Sequence, residues 1–195
     1  LRQTDELDLL LELEIGTVGG EEDGINNEQV ARDRLYTTPA DALAVAETLG
    51  TGERGRYLLA ATFGNVHGHY APGNIKLRPE LLGELQAAVA RRDKGGFDFV
   101  FHGGSGSRAA EIRAAISHGV VKMNLDTDMQ YEFTHAIEQH LEHRSTDGAA
   151  RSDAGVDKRV YDPRSWGRKA ELAMAARVRT ASELLGSRGR TLAGD

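Results

Sequence analysis

The chain has no cysteine in its 195 residues, which excludes disulfide bonds and thiolate chemistry. Its net charge of −6 argues against general binding of nucleic acid or of anionic membrane surfaces. No apolar run approaches the roughly 20 residues of a membrane-spanning helix. These absences favour a cytoplasmic globular protein whose partners include neither nucleic acid nor membrane. Glycine, in contrast, is plentiful at 23 residues, and several glycines follow short apolar runs.

Four short apolar runs recur along the chain, with a helix-like segment between each run and the next. Such runs predict buried strands, and strands that alternate with helices predict a parallel sheet. The predicted strands are Leu9–Ile15, Tyr57–Phe63, Phe97–Phe101 and Val120–Leu125.

Residue types that favour helix ends predict five helices. Thr38 is the predicted cap of the first, with Pro39 at its first position and Gly50 as its stop. The other predicted starts are Pro79, Ser107 as a cap, the Thr127 and Gln130 capping box, and Asp162 followed by Pro163.

Two α/β architectures compete for this pattern, an open doubly wound sheet and a (β/α)₈ barrel. Each apolar run ends in polar residues, whereas an open sheet concentrates such residues near one switch point. Barrel enzymes build their sites from the carboxyl ends of several strands. We therefore predict about four βα units and a long C-terminal helix, as part of a TIM barrel.

His67 and His102 both follow a predicted strand and both precede a glycine. Two histidines at equivalent strand ends are expected to converge on one metal ion, although each could simply be hydrogen-bonded. Zinc suits imidazole ligands, and a catalytic zinc normally has three protein ligands. His69 is a weaker third candidate.

Carboxylates form a second group of candidates. Glu14 lies inside an apolar run, where it needs a partner, a metal or a raised pKa. Glu12 points to the same side of an extended strand, and we favour Glu14 because it is nearer the carboxyl end. The acidic loop at 21–23 has two interpretations. It is either a solvated turn, or a mobile loop that closes over a substrate and carries a carboxylate that moves a proton.

Glycine-rich and polar loops follow the last two predicted strands, at 102–107 and 124–128. In (β/α)₈ enzymes the loops after strands 7 and 8 frequently bind phosphate, with backbone N–H groups as donors. Lys122, on the last predicted strand, is a candidate for Schiff-base chemistry. Its position two residues before Asn124 does not exclude its side chain from the barrel interior.

Five sequence blocks occur in the order in which one known family carries them. The blocks are ELEIGTVGGEEDG, ATFGNVHGHYAPGNIKL, FVFHGGSGS, GVVKMNLDTDMQY and VYDPRSW. Through them this chain resembles the class II fructose-1,6-bisphosphate aldolases, in their long dimeric subgroup.

The resemblance implies zinc-dependent cleavage of fructose 1,6-bisphosphate to dihydroxyacetone phosphate and glyceraldehyde 3-phosphate. His67 and His102 match the second and third of the family's three zinc histidines. Glu14 matches a glutamate at a second metal position, and a monovalent cation is allowed as well. Glu22 matches the loop glutamate that moves the proton. A divalent metal acts as the electron sink that carbon–carbon cleavage beside a ketone needs.

The resemblance also assigns substrate contacts and a homodimer. Asn124 is implied in catalysis as well as in binding, and Arg164 matches an arginine that reaches the second phosphate. The remaining implied binders of dihydroxyacetone phosphate are Gly68, Gly103, Gly104, Ser105, Leu125, Asp126 and Thr127.

The family's first zinc histidine follows an aspartate in its N-terminal half, and this chain has no matching pair. We expect residues 1–195 to form a single domain, the C-terminal portion of the barrel, that is inactive alone. His69 and Ala71 also depart from the family pattern. A non-catalytic phosphosugar-binding remnant is the alternative, and a metal-dependent hydrolase on the same barrel is a third interpretation.

Overall fold

The computed structural model describes residues 1–22, 25–26, 31–67, 76–93, 95–146 and 158–191. Contacts divide the chain into two compact units, Leu1–Leu125 and Asp126–Asp195. The first unit holds the described strands, and the second holds helices. None of the described helices combines the length and apolar content that crossing a membrane requires. The single domain over 1–195 stays a prediction.

Four parallel strands form the main sheet of the first unit. Numbered along the chain and given in their order across the sheet, they are β1 (Leu11–Ile15), β4 (Tyr57–Ala61), β6 (Phe99–Phe101) and β7 (Val120–Met123). Each lies within its predicted range, so the four predicted strands are confirmed. All neighbouring pairs are parallel, as alternation with helices predicts.

A smaller sheet of three short strands was not predicted. Its strands are β2 (Gly19–Glu22), β3 (Ile25–Asn26) and β5 (Val66–His67), with β2 in the middle. Gly20 pairs with His67, so the backbone of the acidic segment runs beside the backbone of a predicted metal ligand.

Helices follow the strands of the main sheet, as predicted. The described helices are α1 (Arg2–Glu6), α2 (Pro39–Leu49), α3 (Glu80–Asp93), α4 (Ala109–Ser117), α5 (Thr127–Thr146), α6 (Lys158–Tyr161) and α7 (Pro163–Leu184). The 3₁₀ turn Arg32–Leu35 precedes α2.

Two predicted helix starts are confirmed by their caps. The Thr38 hydroxyl accepts a hydrogen bond from Asp41 N at 3.2 Å, and the Asp41 carboxylate accepts one from Thr38 N at 2.9 Å. Gly50 ends this helix with φ +80°, a conformation that favours glycine. Asp162 caps α7 by accepting from Arg164 N at 3.0 Å.

Two other predicted helices are present, but their predicted capping residues are wrong. The cap position of α4 is Arg108 rather than Ser107, and the Arg108 N–H donates to the Glu111 carboxylate at 3.0 Å. Thr127 is already helical in α5, and Gln130 bonds the Asp126 carboxylate instead. At α4 the Glu111 carboxylate, one residue beyond the predicted box, therefore bonds the backbone of the cap position, whereas at α5 the Asp126 carboxylate bonds the Gln130 side chain.

The core of the first unit lies between the main sheet and its helices. Leu82, Leu85 and Val89 recur at helical spacing in α3 and are fully buried. The helix packs between α2 and α4. The Phe63 and Phe101 ring centroids lie 4.7 Å apart, and both rings are fully buried. This packing holds the carboxyl ends of β4 and β6 in place.

The pairing of β6 with β7 shifts by one residue. Phe99 pairs with Val120, but Val100, the next residue, pairs with Lys122. Val121 is thus an extra residue, and it is 60% exposed. In an unshifted strand the residue at 122 would share the face of Val120, which is buried. The shift turns Lys122 to the face of Val100 instead.

Candidate functional site at the carboxyl edge of the sheet

One row of paired residues crosses the main sheet and ends in a charged residue on each side. Glu14 pairs with Ala60, Ala60 with Val100, and Val100 with Lys122. Paired residues in neighbouring strands point to the same face. Residues two positions away share that face, and this gives the polar set that we call the edge cluster: Glu12, Glu14, His102, Lys122 and Asn124.

His102 lies between two carboxylates. Its Nδ1 is 2.5 Å from Glu14 Oε2, and its Nε2 is 2.9 Å from Glu12 Oε1. Both ring nitrogens can donate only when the ring is doubly protonated. The hydrogen bond to Glu14 raises the pKa of His102, burial opposes the rise, and the bond to Glu12 adds to it, so the pKa lies above its ordinary value. Contact of both ring nitrogens with carboxylates therefore favours the doubly protonated ring.

Glu12 joins His102 to Lys122. The Lys122 Nζ donates to Glu12 Oε2 at 2.6 Å. Burial raises the pKa of Glu12, but the hydrogen bonds from Lys122 and His102 outweigh burial and hold that pKa below its ordinary value. Glu12 is a residue that sequence reasoning set aside in favour of Glu14. Its position two residues from Glu14 was the available signal.

Asn124 completes the edge cluster at the end of β7. Its Oδ1 accepts a hydrogen bond from the Lys122 Nζ at 2.9 Å. Its backbone N donates to Phe101 O at 2.9 Å, which ties the end of β7 to the end of β6. The structure therefore brings together three predicted site residues, Glu14, His102 and Asn124.

Asn65, which is 1% exposed, supports the backbone of His102. Its Nδ2 donates to His102 O at 3.0 Å, and its Oδ1 accepts from Phe63 N at 2.8 Å. A buried amide with both ends bonded is rigid, so it fixes where β6 ends relative to β4. Asn65 is one of the polar residues that follow the second apolar run, and its position after that run was the available signal.

The loop after His102 approaches β5 closely. Gly103 has φ +60°, and a Cβ there would lie 2.4 Å from the carbonyl oxygen of Val66. Glycine is thus required at 103 by backbone packing alone. Ser107 N donates to Gly104 O at 3.2 Å, which closes the turn that contains Ser105. The loop therefore lies beside the strand that carries His67.

Several predicted site residues fall at the limits of the described structure. The backbones of Glu22 and His67 are described, but their side chains lie outside the described part. Gly68, His69 and Ala71 lie outside the described residues altogether. The convergence of His67 and His102 on one ion therefore stays a prediction.

The remaining predicted binders are divided between the units. Leu125 ends the first unit, and Asp126, Thr127 and Arg164 belong to the second. The Arg164 guanidinium is held by Asp162, with Nη2 2.6 Å from Oδ2. Hydrogen bonds from Arg164 lower the pKa of Asp162 to about 2. The contact of these second-unit residues with a substrate stays a prediction.

The donor types of the edge cluster fit a divalent cation. An imidazole and a carboxylate, from His102 and Glu14, lie in hydrogen-bond contact at one strand edge, and a metal can replace a ring proton. Among the described side chains, no three histidine or acidic groups are arranged to hold an ion. The described part of the site thus supplies suitable ligands but an incomplete set.

Parallel strands that alternate with helices and carry ionisable residues at one carboxyl edge define part of a (β/α)₈ enzyme barrel. Comparison with protein families is more specific. The chain belongs to the class-II fructose-bisphosphate aldolase family, whose profile matches residues 1–190. As a family, these aldolases are metal-dependent.

Individual relatives agree with this membership. The chain is 56% identical over 187 residues to the fructose-bisphosphate aldolase of Streptomyces galbus, covering 94% of this chain and 54% of that protein. It is 52% identical over 190 residues to that of Mycobacterium tuberculosis, with the same coverage of 94% and 54%. The chain thus spans about half the length of the curated relatives it matches.

A solved structure supports the fold. The crystal structure of fructose-bisphosphate aldolase from Campylobacter jejuni superposes with a TM-score of 0.74 at 39% identity. The match covers 96% of this chain and 54% of that one. The predicted family and the predicted α/β barrel fold are both confirmed.

Proposed function

We propose that this chain supplies metal-binding and phosphate-binding strands of a fructose-1,6-bisphosphate aldolase. That enzyme is a lyase of glycolysis and gluconeogenesis, which cleaves its substrate reversibly to dihydroxyacetone phosphate and glyceraldehyde 3-phosphate. The observation that carries the proposal is His102, held between Glu14 and Glu12 at the carboxyl edge of parallel strands. The family and the names of the relatives support the same reaction.

The proposed metal ligands are His67, His102 and Glu14. We assign zinc to the two imidazoles, which suit it, together with a third histidine from outside this chain, and we assign Glu14 to a second divalent ion. A monovalent cation is proposed as well. When bound, a divalent ion supplies Lewis-acid stabilisation of negative charge on the ketone oxygen. Glu12 keeps a hydrogen bond to the ring of His102 and so orients it.

Two neighbouring loops are the proposed site for the phosphate of dihydroxyacetone phosphate. The backbone N–H groups of glycine turns are good phosphate donors, and the close approach of Gly103 to β5 gives that turn a defined position. We assign the second phosphate to Arg164, whose guanidinium is bonded to Asp162 in this structure. The residues assigned to the first phosphate and its sugar are Gly68, Gly103, Gly104, Ser105, Asn124, Leu125, Asp126 and Thr127.

Proton transfer is assigned to Glu22. A carboxylate near a glycine-rich segment can approach the reacting carbon of dihydroxyacetone phosphate and exchange its proton. The pairing of its strand, β2, with the strand of His67 supports a position near the metal ligands. The Asn124 amide is assigned as a hydrogen-bond donor to a substrate oxygen. We also propose a homodimer in the cytoplasm.

The test is a chimera that joins this chain to the part of the Streptomyces galbus aldolase that it does not match. We expect the chimera to release triose phosphate from fructose 1,6-bisphosphate in a coupled assay. A chelator should abolish the activity and zinc should restore it, because the proposed electron sink is a metal. Borohydride with dihydroxyacetone phosphate should leave the activity intact, because no Schiff base forms.

Other outcomes separate the alternatives. Binding of dihydroxyacetone phosphate without cleavage would support a non-catalytic remnant. Covalent trapping of Lys122 by borohydride would replace the metal mechanism with a Schiff-base mechanism. The intact Streptomyces galbus aldolase serves as the positive control in both assays.

The phosphate assignment has its own test. Crystals of the chimera soaked with dihydroxyacetone phosphate should show the phosphate against Gly103–Ser105 and Asn124–Thr127. Adjacent loops with backbone donors at one sheet edge motivate this expectation. Density for the phosphate at any other place would refute the assignment.

A further inference from the structure

We propose that Lys122 is a positioning residue, whose ammonium group fixes the side-chain amide of Asn124 so that the amide faces the substrate with its donor end. The inference deepens the proposed function, because it rests on Asn124 as a substrate contact. Lys122 itself touches neither substrate nor metal in this proposal.

The side-chain amide of Asn124 faces Lys122 with its oxygen end. An ammonium group has three donors and no acceptor, so only the oxygen of the amide can bond it. The observed contact joins the Lys122 Nζ to Asn124 Oδ1 at 2.9 Å. The two hydrogens of Nδ2 then point away from Lys122, and no described residue accepts from them. The donor end of the amide is thus available for a substrate oxygen.

Lys122 is held in place by a second contact, with Glu12. Its Nζ also donates to Glu12 Oε2 at 2.6 Å, and Glu12 is itself bonded to His102. A carboxylate on one side and an amide oxygen on the other define the place of the ammonium group. Lys122 therefore connects the metal side of the edge cluster, at His102, to the substrate side, at Asn124.

The register shift between β6 and β7 brings Lys122 to the face of the edge cluster. The extra residue Val121 changes the phase of β7, so that Lys122 pairs with Val100 and shares its face. Bulges that redirect a side chain are frequent next to functional sites. The local irregularity of β7 thus has the effect of delivering Lys122 and Asn124 to the edge cluster together.

The experiment compares Lys122→Met, which keeps the length of the side chain and removes its donors, with Lys122→Arg, which keeps the donors. Lys158→Met, at an exposed position in α6, is the matched control. Glu12→Gln tests the two contacts of Lys122 separately. It removes the charge of Glu12 and leaves the bond from Lys122 to Asn124 in place.

The first readout is nuclear magnetic resonance of the 195-residue chain. The Asn124 side-chain amide signal, identified by its loss in Asn124→Ala, should show restricted motion in the unmodified chain. Lys122→Met should make it as mobile as a solvated asparagine, whereas Lys122→Arg, Glu12→Gln and Lys158→Met should leave it restricted. An unchanged signal in Lys122→Met would overturn the proposal, whether or not the chimera is an aldolase.

The second readout is the kinetics of the chimera. Lys122→Met should lower kcat about tenfold with a smaller change in KM, because a misplaced donor is lost mainly in the transition state. Lys122→Arg should recover most of the loss. In the Asn124→Ala background Lys122→Met should have little further effect, and fully additive losses would contradict the proposal. If the unmodified chimera shows no turnover, the proposed function fails and the amide signal alone decides the role of Lys122.

Discussion

His102→Ala in the chimera is expected to lower kcat/KM by at least about 1,000-fold and to remove the bound metal at the same time. The substitution deletes the proposed imidazole ligand. It also leaves the carboxylates of Glu12 and Glu14 on one face without the imidazole ring that lies between them and bonds both. Metal content by atomic absorption and turnover in the coupled assay should fall together.

Two further variants serve as controls for His102→Ala. His102→Gln keeps a hydrogen-bonding group of similar size, so circular dichroism can separate loss of ligand from loss of fold. His135→Ala removes a partly exposed histidine of α5 whose observed partners are Tyr131, Glu138 and Gln139. It should change neither metal content nor turnover. A His102→Ala chimera that retains its metal and most of its activity would rule His102 out as a ligand.

The 195-residue chain alone is expected to show less than about one thousandth of the turnover of the chimera, even with excess zinc. Two residues of this chain, His67 and His102, are the proposed zinc histidines, and the described side chains contain no three-ligand group. Two-ligand binding of zinc is weak, and catalytic zinc sites normally use three protein ligands. The described sheet also has four strands, whereas a closed barrel has eight.

The comparison needs equal protein concentrations and the same coupled assay for fructose 1,6-bisphosphate. Circular dichroism of the 195-residue chain establishes that it is folded under the assay conditions. Turnover comparable to that of the chimera would show that this chain carries a complete site. The assignment of a third ligand outside it would then be wrong.

Local chemistry made much of the fold predictable. Apolar runs bounded by glycine identified the four strands, and the Thr38 and Asp162 caps identified two helix starts. The errors at Ser107 and Thr127 have one cause. Several polar residues lie together at those helix ends, and spacing alone does not show which of them bonds the backbone.

The site was less predictable than the fold, for geometric reasons. Glu12 and Glu14 share one face of β1, so periodicity could not show that His102 contacts both. The orientation of Lys122 depends on the extra residue Val121, and a register shift leaves no signature in alternation. The two-residue strand β5 is too short for any periodic pattern, so the small sheet around it was missed.

The edge cluster has a consequence for how a substrate first approaches. Glu12 and Glu14 each contribute a carboxylate, Lys122 contributes an ammonium group, and His102 adds a positive charge only when its ring is doubly protonated. The edge cluster therefore has no excess of positive charge, and the chain as a whole carries −6. Long-range attraction of a phosphorylated sugar has no source there, so capture depends on donors that act only at contact. Association should accordingly lack the acceleration of electrostatically steered enzymes, and added salt should not slow it.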